Sequence, residues 1–466
     1  MTDPLLRQAW SVLGGEPSLL DRIEVIGNGV GLLPSRLAAL PAMVAAVSAA
    51  MLGASVLDAA RQAHSPESVV IDVEHVAVAA CSERYARMDG SAQADLFAPL
   101  SRFWRTADGW LRLHANYPWH QERALKLLGC ENRPDAVGDA IRSWQGHALE
   151  DALAEVDALG SAVRTRREWQ AHPQGSAVAT QPLVDTMAGG RGRAATAGGR
   201  WADGLRVVDL TRVIAGPVAT RTLAAWGADV PRLDSPHLPE IESQALDMLP
   251  GKRSALLDVS GPPGRARLEE LLAAADVLVQ GYRPGALARY GLASEELSER
   301  HPHLSVVTLS AWGREGPWAA RRGFDSLVQC STGIAEAEGS AEKPGALPAQ
   351  VLDHATGYLA AAAALLALAA VQRGEPSRCI WLSLAQTAHW LLAGGLGQPE
   401  DQRAASPDEH LLTLAGAARP VHVIAPVGRV GDRLPAWTST TELGADPPSF
   451  ATETERRSPT DLPAQR

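Results

Sequence analysis

The feature that most constrains the fold is residues 204–234, GLRVVDLTRVIAGPVATRTLAAWGADVPRLD. Its predicted elements follow in order: a buried strand at 205–210, a tight turn at 215–217, a helix at 218–226 and a second strand from 230 to 233. Such a β-α-β unit places its first loop at the carboxyl end of a parallel strand, where ligands of open α/β sheets bind. We therefore predict an α/β protein with a ligand site at that loop.

Composition and charge restrict the class of protein. The chain has 466 residues and a net charge of −10, which argues against a general nucleic-acid binder. Four scattered cysteines form no C-x-x-C pair, as expected for reduced thiols in the cytosol. The N-terminus has no basic region followed by an apolar core, and the apolar run 358–371 is too short to span a bilayer. We expect a cytoplasmic protein without nucleic-acid or membrane partners.

Changes in composition along the chain predict five segments. They are a helix-strand unit at 1–95, a small α+β domain at 96–187, a Gly/Ala/Arg-rich linker at 188–203, a catalytic α/β domain at 204–400, and a C-terminal extension at 401–466. The FWRTADGWLRL segment, 103–113, predicts a hairpin around Asp108-Gly109. The polar composition of residues 450–466 predicts a disordered tail.

An internal repeat links the first and fourth segments. The Ala-rich run that begins at Leu32 parallels the run that begins at Ala346, and each continues into a strand. Aligning Pro34 with Pro348 places Ala39 opposite Asp353, so only the second copy keeps the ionisable group. We therefore interpret the first copy as a degenerate repeat.

Asp353 stands at the start of the predicted Ala-rich helix in LDHATGYLAAAAALLALAA. From the local sequence alone, the favoured interpretation is a helix N-cap, because a carboxylate accepts hydrogen bonds from free backbone N–H groups there. The alternative is a nucleophilic carboxylate kept ionised, with an oxyanion bound by the same N–H groups. Asp325, at the start of another predicted helix, is interpreted as a cap.

The remaining loops predict phosphate binding rather than dinucleotide binding. No G-x-G-x-x-G is present, since the GNGVG at 27–31 is followed by Leu32. Lys252, Arg253 and the Tyr282-Arg283-Pro284-Gly285 loop supply basic groups near strand ends, which would suit a polyphosphate. Solvated surface charges are the alternative.

Residues 204–395 resemble family III CoA-transferases, a group that includes formyl-CoA and carnitine CoA-transferases and acyl-CoA racemases. The segments that carry the resemblance are VVDLTRVIAGP, GADVPRLDSP, GKRSALLDV, DVLVQGYRPGAL, RYGL, SAWGREGPW, GFDSLVQ and LDHATGYL. Residues 103–185 resemble the small domain that normally follows the catalytic half in this family. The order is therefore rearranged: residues 1–200 resemble the back portion of a family member and 204–395 the front portion.

The resemblance implies a Rossmann-like parallel-sheet fold with a smaller α+β domain, and an enzyme that moves CoA from an acyl-CoA to a carboxylic acid through aspartyl anhydride and thioester intermediates. Asp353 falls on the nucleophile. The CoA-lining positions are Val213, Ile214, Ala215, Tyr282, Arg283 and Arg289. It further implies a homodimer, acyl-CoA and carboxylic acid ligands, CoA as a substrate, and no permanently bound cofactor or metal.

Several residues depart from the family pattern. Leu352 replaces a Gly before the aspartate, Gly281 stands where an Asn is common, and Ser235 stands where some members have Arg. Phe324 occupies the place of the racemases' histidine, which favours transfer over racemisation. An acyl-CoA racemase or isomerase and a catalytically silent CoA-binding or scaffold protein remain the alternatives.

Overall fold

The structure is a computed structural model and describes residues 3–89, 95–194, 199–396, 403, 405–416 and 418–452. The α-helices are α1 (Pro4–Val12), α2 (Ala39–Gln62), α3 (Val73–Ala79), α4 (Pro118–Leu128), α5 (Pro134–Arg142), α6 (Gly146–Glu155), α7 (Arg166–Ala171), α8 (Pro173–Ala179), α9 (Ala215–Ala225), α10 (Glu242–Met248), α11 (Pro262–Ala274), α12 (Ser294–Arg300), α13 (Asp325–Ser331), α14 (Ile334–Glu338), α15 (Val351–Gln372) and α16 (Leu384–Ala393). The strands are β1 (Ile23–Ile26), β2 (Val69–Asp72), β3 (Arg87–Met88), β4 (Phe103–Arg105), β5 (Trp110–Leu113), β6 (Gly160–Ala162), β7 (Asp185–Ala188), β8 (Val207–Leu210), β9 (Pro231–Asp234), β10 (Arg253–Leu256), β11 (Val277–Gln280), β12 (Ser305–Ser310), β13 (Arg378–Ser383), β14 (Leu411–Leu414), β15 (Val421–Ile424) and β16 (Arg429–Val430).

The main sheet has the strand order β10-β9-β8-β11-β12-β13-β7. Its first six strands are parallel, and β7 joins the edge antiparallel to β13. In chain order the parallel strands are arranged 3-2-1-4-5-6, which is the Rossmann arrangement. The expected α/β fold with a Rossmann-like parallel sheet is therefore confirmed.

The first helix of this sheet begins earlier than expected. The residues predicted as a tight turn, Ala215-Gly216-Pro217, are the first turn of α9. Proline is compatible with that place, because the first N–H groups of a helix have no partner inside the helix. The prediction of a separate turn was therefore wrong, and the loop after β8 spans only residues 211–214.

A smaller α+β unit precedes the main sheet in the chain. Strands β4, β5 and β6 form an antiparallel sheet, and the predicted hairpin pairs Phe103 with Arg112. Helices α4, α5 and α6 complete this unit, whose own hydrophobic core includes Leu111, Ile141 and Leu153. The smaller α+β domain is confirmed as part of the architecture.

The two repeated segments pack against each other. Both α2 and α15 lead into a strand and then a short helix, and they meet where a Cβ on Gly53 would lie 3.4 Å from the Ala362 carbonyl oxygen. By length and composition alone both helices could cross a membrane, yet 89% and 100% of their most apolar stretches are buried inside the protein. One hydrophobic core therefore contains residues of both repeats.

Each half of the chain contributes an edge strand to a sheet of the other half. Strand β7 precedes the main sheet in sequence but completes its edge at β13. Conversely, β16 comes from the C-terminal extension and pairs antiparallel with β2 of the first repeat. Strand β2 thus lies between β1 and β16. Strand β15 pairs antiparallel with β3 of the first repeat, and β14 pairs antiparallel with the other side of β15. The predicted segment boundaries remain predictions, and residues 195–198 of the linker and 453–466 of the predicted disordered tail lie outside the described residues.

Candidate functional site

The switch point of the main sheet lies between β8 and β11. Chain order runs outward in opposite directions from these two neighbouring parallel strands, so the loops that follow them diverge and leave a crevice. A Cβ on Gly281 would lie 3.5 Å from the Thr211 side chain, which shows how close the two loops come. The sequence predicted a ligand site at this edge of the sheet.

The loop after β8 holds three of the predicted CoA-lining residues. Val213 has a φ of 68°, a left-handed conformation that is unusual for a β-branched residue. Ile214 is buried, and Ala215 begins α9. This strained, short loop turns the chain directly from strand to helix at the crevice.

A buried ion pair supports the loop from below. Lys252 Nζ lies 2.9 Å from Asp209 Oδ2 and 2.6 Å from Thr220 Oγ1, and both charged side chains are fully buried. Asp209 also accepts a hydrogen bond of 2.9 Å from the Thr211 backbone N–H. The sequence offered two interpretations of Lys252, a phosphate ligand or a solvated surface charge. The structure contradicts both, because the side chain is buried against Asp209. It neutralises the aspartate that holds the loop.

Asp353 is the third residue of α15, and its side chain is buried. Gln350 occupies the N-cap position without a side-chain hydrogen bond, so the interpretation of Asp353 as an N-cap was wrong. The Asp353 backbone N–H donates to Asp325 Oδ2 at 3.0 Å. The Asp325 carboxylate therefore caps the first turn of α15. Asp325 is itself the first residue of α13, whose N-cap position is occupied by Phe324. Because this N–H is occupied, it is not a free donor for an oxyanion.

Helix α15 brings Asp353 to the loop after β8. A Cβ on Gly357 would lie 2.5 Å from the carbonyl oxygen of Ala215, so glycine alone allows the two helices to approach this closely. Asp353 lies four residues earlier on the same face of α15, one turn or about 6 Å along the helix axis. The predicted nucleophile and the predicted CoA loop therefore lie side by side.

The charges around Asp353 favour its protonated form. Burial, the neighbouring Asp325 and the charge of Glu83 raise the pKa of Asp353 well above its ordinary value. Burial also raises the pKa of Asp325 to about 6, although the hydrogen bonds from Gln329 and from the α15 backbone oppose this rise. The two aspartates form a coupled pair, in which ionisation of one disfavours ionisation of the other.

Tyr282 and Arg283 lie at the opposite wall of the crevice. They follow β11 directly, and the Tyr282 hydroxyl has its pKa raised to about 12, chiefly by burial, with Arg212 among its charged neighbours. Arg212 immediately precedes Val213. The structure thus brings Tyr282 together with the loop after β8, while Arg283 pairs with Asp157 of the smaller unit. Arg289 lies farther along the chain, exposed, with its guanidinium 4.7 Å from the centre of the Tyr290 ring.

An excess of positive charge lies where the smaller unit meets this edge of the sheet. The carboxylate of Asp157 is 3.4 Å from Arg283, 3.3 Å from Arg322 and 3.9 Å from Arg123. A cleft at this place is lined by Asp157, Arg283 and Arg322, together with Trp312 and Trp318. Three guanidinium groups around one carboxylate leave capacity for a further anion.

Sequence reasoning did not identify all of this site. It assigned Asp325 to its own helix, although its carboxylate stabilises α15. It did not connect Asp157 with Arg283, which is 126 residues away in the chain. No local signal marks either contact, because both depend on how separate elements pack.

Residues 202–415 match the family described as CoA-transferase family III. This segment belongs to CoA-transferase family III. The family III segment includes the main sheet from β8 to β13, the two loops of the crevice and the first turn of α15. The resemblance to family III CoA-transferases that the sequence segments indicated is therefore confirmed.

Known proteins of this kind resemble the family III segment. A probable fatty acyl-CoA transferase of Mycobacterium tuberculosis is 31% identical over 209 residues, which cover 42% of this chain and 53% of that protein. A formyl-CoA:oxalate CoA-transferase of Streptomyces coelicolor is 34% identical over 178 residues, covering 36% and 43%. A crystal structure of the M. tuberculosis protein has 31% identity and a TM-score of 0.39, covering 41% of this chain and 55% of that one. The chain spans about half the length of the curated relatives that it matches.

Proposed function

We propose that the chain transfers CoA from an acyl-CoA donor to a carboxylic acid acceptor, with Asp353 as the nucleophile. The observation that supports this most directly is the position of Asp353 in the first turn of α15, beside the loop at the switch point of a family III sheet. The names of the relatives, a fatty acyl-CoA transferase and a formyl-CoA:oxalate CoA-transferase, support the same class of reaction.

The proposed reaction proceeds through covalent intermediates on Asp353. An ionised Asp353 oxygen attacks the thioester carbonyl, and the C–S bond breaks to give an acyl-aspartyl anhydride and CoA thiolate. The thiolate then attacks the aspartyl carbonyl, which releases the donor acid and leaves an aspartyl-CoA thioester. The acceptor carboxylate displaces CoA thiolate to form a second anhydride, whose acyl carbon the thiolate attacks, releasing the new acyl-CoA and free Asp353.

The residues around Asp353 would have distinct parts in this reaction. Asp325 holds the N–H of Asp353 and thereby orients the first turn of α15. Burial keeps water from the anhydride, which would otherwise hydrolyse. The loop at Val213, Ile214 and Ala215, with Tyr282, would line the path of the CoA thiol end, and the arginines of the cleft would bind its phosphates.

Phe324 favours transfer over racemisation on the same fold. A racemase needs a group that accepts and returns the proton of the carbon beside the thioester, and a phenyl ring has none. The ring of His114 stacks on Phe324 with centroids 4.0 Å apart, but burial lowers the pKa of His114 to about 3, so this imidazole is a poor proton acceptor. We further propose a cytoplasmic enzyme that acts as a homodimer, uses CoA as a substrate without a resident cofactor or metal, and has no nucleic-acid or membrane partner.

Trapping of the aspartyl intermediate tests the function. The purified chain is incubated with a panel of acyl-CoA donors and acids, including formyl-CoA with oxalate and fatty acyl-CoAs with short acids, and exchange is followed by mass spectrometry. Hydroxylamine is added during turnover, and we expect a hydroxamate on the peptide that contains Asp353. Exchange without this modification would contradict the mechanism. Inversion of a 2-methylacyl-CoA without exchange would instead show a racemase.

Arg289, which the resemblance places among the CoA-lining residues, makes a separate prediction for CoA binding. Arg289→Ala is expected to weaken CoA binding by roughly 10- to 100-fold at low salt, because a hydrogen bond to a charged group contributes about 1.5–3 kcal/mol. The loss should shrink with added salt if it is mainly Coulombic. Calorimetric titration with CoA measures it, and Arg142→Ala, which removes an exposed arginine paired with Asp139, is the control. An unchanged dissociation constant for Arg289→Ala would remove Arg289 from the site.

A further inference from the structure

The first repeat reaches the first turn of α15 through three consecutive residues. These residues, Ser82–Arg84, form a short 3-10 helix after α3. Arg84 donates a hydrogen bond to the carbonyl oxygen of Pro348, just before α15. Glu83 contacts His354, the residue that follows Asp353. The degenerate repeat therefore touches the helix turn that carries the proposed nucleophile.

Glu83 and His354 form a buried pair. Glu83 Oε2 and His354 Nε2 are 2.9 Å apart, and the two side chains are 2% and 0% exposed. Burial by itself raises the pKa of Glu83, but the charge and the hydrogen bond of His354 outweigh it, so this pKa is lowered. The second atoms of the pair, Glu83 Oε1 and His354 Nδ1, have no partner in the described part of the chain. The pair is thus a second polar connection between the two repeats, beside the hydrogen bond from Arg84 to the Pro348 carbonyl oxygen.

Contacts on the preceding residue fix Glu83 in place. Ser82 Oγ donates to Asp247 Oδ2 at 2.7 Å and accepts from Arg221 at 3.0 Å, and Arg221 and Asp247 form a buried ion pair. Arg221 belongs to α9, the helix that begins at the loop after β8. The same short helix that holds Glu83 is therefore anchored to both helices of the proposed site.

We propose that Glu83 of the first repeat is a positioning residue for CoA transfer, which acts through His354 to hold Asp353 in the reactive orientation. This proposal rests on the proposed function. A buried polar pair of this kind adds little net stability, because the cost of removing both groups from water offsets their attraction. Its position next to Asp353 indicates instead that it determines the orientation of the first turn of α15. The first repeat, which lacks a nucleophile of its own, would then complete the site of the second.

Variants at Glu83 test this role. Glu83→Gln keeps an oxygen that can accept from His354 and is expected to retain kcat within about threefold, whereas Glu83→Ala should lower kcat by roughly 10- to 100-fold, since small displacements of a reacting group have effects of this size. KM for the acyl-CoA should change by less than about twofold, because Glu83 does not touch the CoA loops. Glu74→Ala removes a carboxylate of the same repeat, paired with Arg403, and is the control.

A double variant separates positioning from general destabilisation. If Glu83 acts only through His354, Glu83→Ala combined with His354→Ala should lose no more kcat than His354→Ala alone. Additive losses, or an unchanged kcat in Glu83→Ala that still folds, would overturn the proposal while leaving CoA transfer intact.

A measurement independent of turnover keeps the two proposals distinguishable. In wild type, NMR of ¹⁵N-labelled imidazoles should show a slowly exchanging Nε2–H for His354, assigned by its loss in His354→Gln. This signal should persist in Glu83→Gln and disappear in Glu83→Ala. Its absence in wild type would overturn the contact itself. Absence of transfer by wild type with every donor would overturn the proposed function, and the role of Glu83 with it.

Discussion

Replacing Asp353 by asparagine or alanine is expected to abolish CoA exchange, with a loss in kcat of roughly 1,000-fold or more. Neither side chain offers a carboxylate oxygen that can attack the thioester. The fold should persist, because Asp353 is not the cap of α15 and Asp325 would still accept the backbone N–H at this position. Exchange rates with an active donor and acceptor pair, together with melting curves, measure both effects.

Asp139→Asn is the matched control, since it removes an exposed carboxylate of the smaller unit that pairs with Arg142. It should leave exchange unchanged. Purified Asp353→Ala with exchange close to wild type would show that another residue is the nucleophile. Loss of exchange together with loss of the folded state would require the comparison to be made with Asp353→Asn, whose amide has nearly the volume of the carboxyl group.

Because the pKa of Asp353 is raised, activity and stability should depend on pH in opposite directions. Because the nucleophile must be ionised, kcat/KM should rise with pH through a pKa above the ordinary value for aspartate. The folded protein holds this proton to higher pH than the unfolded chain, so the contribution of Asp353 to stability falls as pH rises above the ordinary value. Asp353→Asn should therefore gain stability relative to wild type as pH rises. A constant difference between the two proteins would contradict the raised pKa.

Replacing Lys252 by methionine is expected to lower the free energy of unfolding by about 3–5 kcal/mol, the cost of breaking a buried ion pair on one side. The substitution leaves Asp209 buried without its cation, next to the loop that carries Val213. Burial already lowers the pKa of Lys252 to about 8, although Asp209 opposes this fall, so the site tolerates a cation only because the carboxylate is present. Urea denaturation measures the loss.

Lys126→Met, at an exposed position on α4, is the control and should change stability by less than about 0.5 kcal/mol. Combining Lys252→Met with Asp209→Asn should recover part of the loss, because the uncompensated charge is removed. A Lys252→Met protein as stable as the control would show that the pair is not buried in solution. A selective loss of CoA affinity at unchanged stability would instead restore the phosphate-binding interpretation.

Local pattern predicted most elements of the main sheet. The first strand of the β-α-β unit was predicted at 205–210, and β8 spans Val207–Leu210; the second was predicted from 230 to 233, and β9 spans Pro231–Asp234. The start of α9 was placed three residues too late, since Ala215-Gly216-Pro217 resembles a turn when no neighbours are considered. Proline and glycine are frequent in turns, and only the strand before them and α15 beside them reveal that they begin a helix.

The sequence by itself determined the α/β class, the strand-loop-helix unit at the switch point and the identity of the residue proposed as the nucleophile. These features are carried by short segments, in which apolar periodicity and the order of motifs are local properties. Only the tertiary structure decided that Asp325 caps α15 and that Lys252 is buried against Asp209. It also decided that three arginines surround Asp157 and that Glu83 pairs with His354. Each of these contacts joins residues that are 28 or more positions apart, and their partners depend on which helix faces which loop after packing.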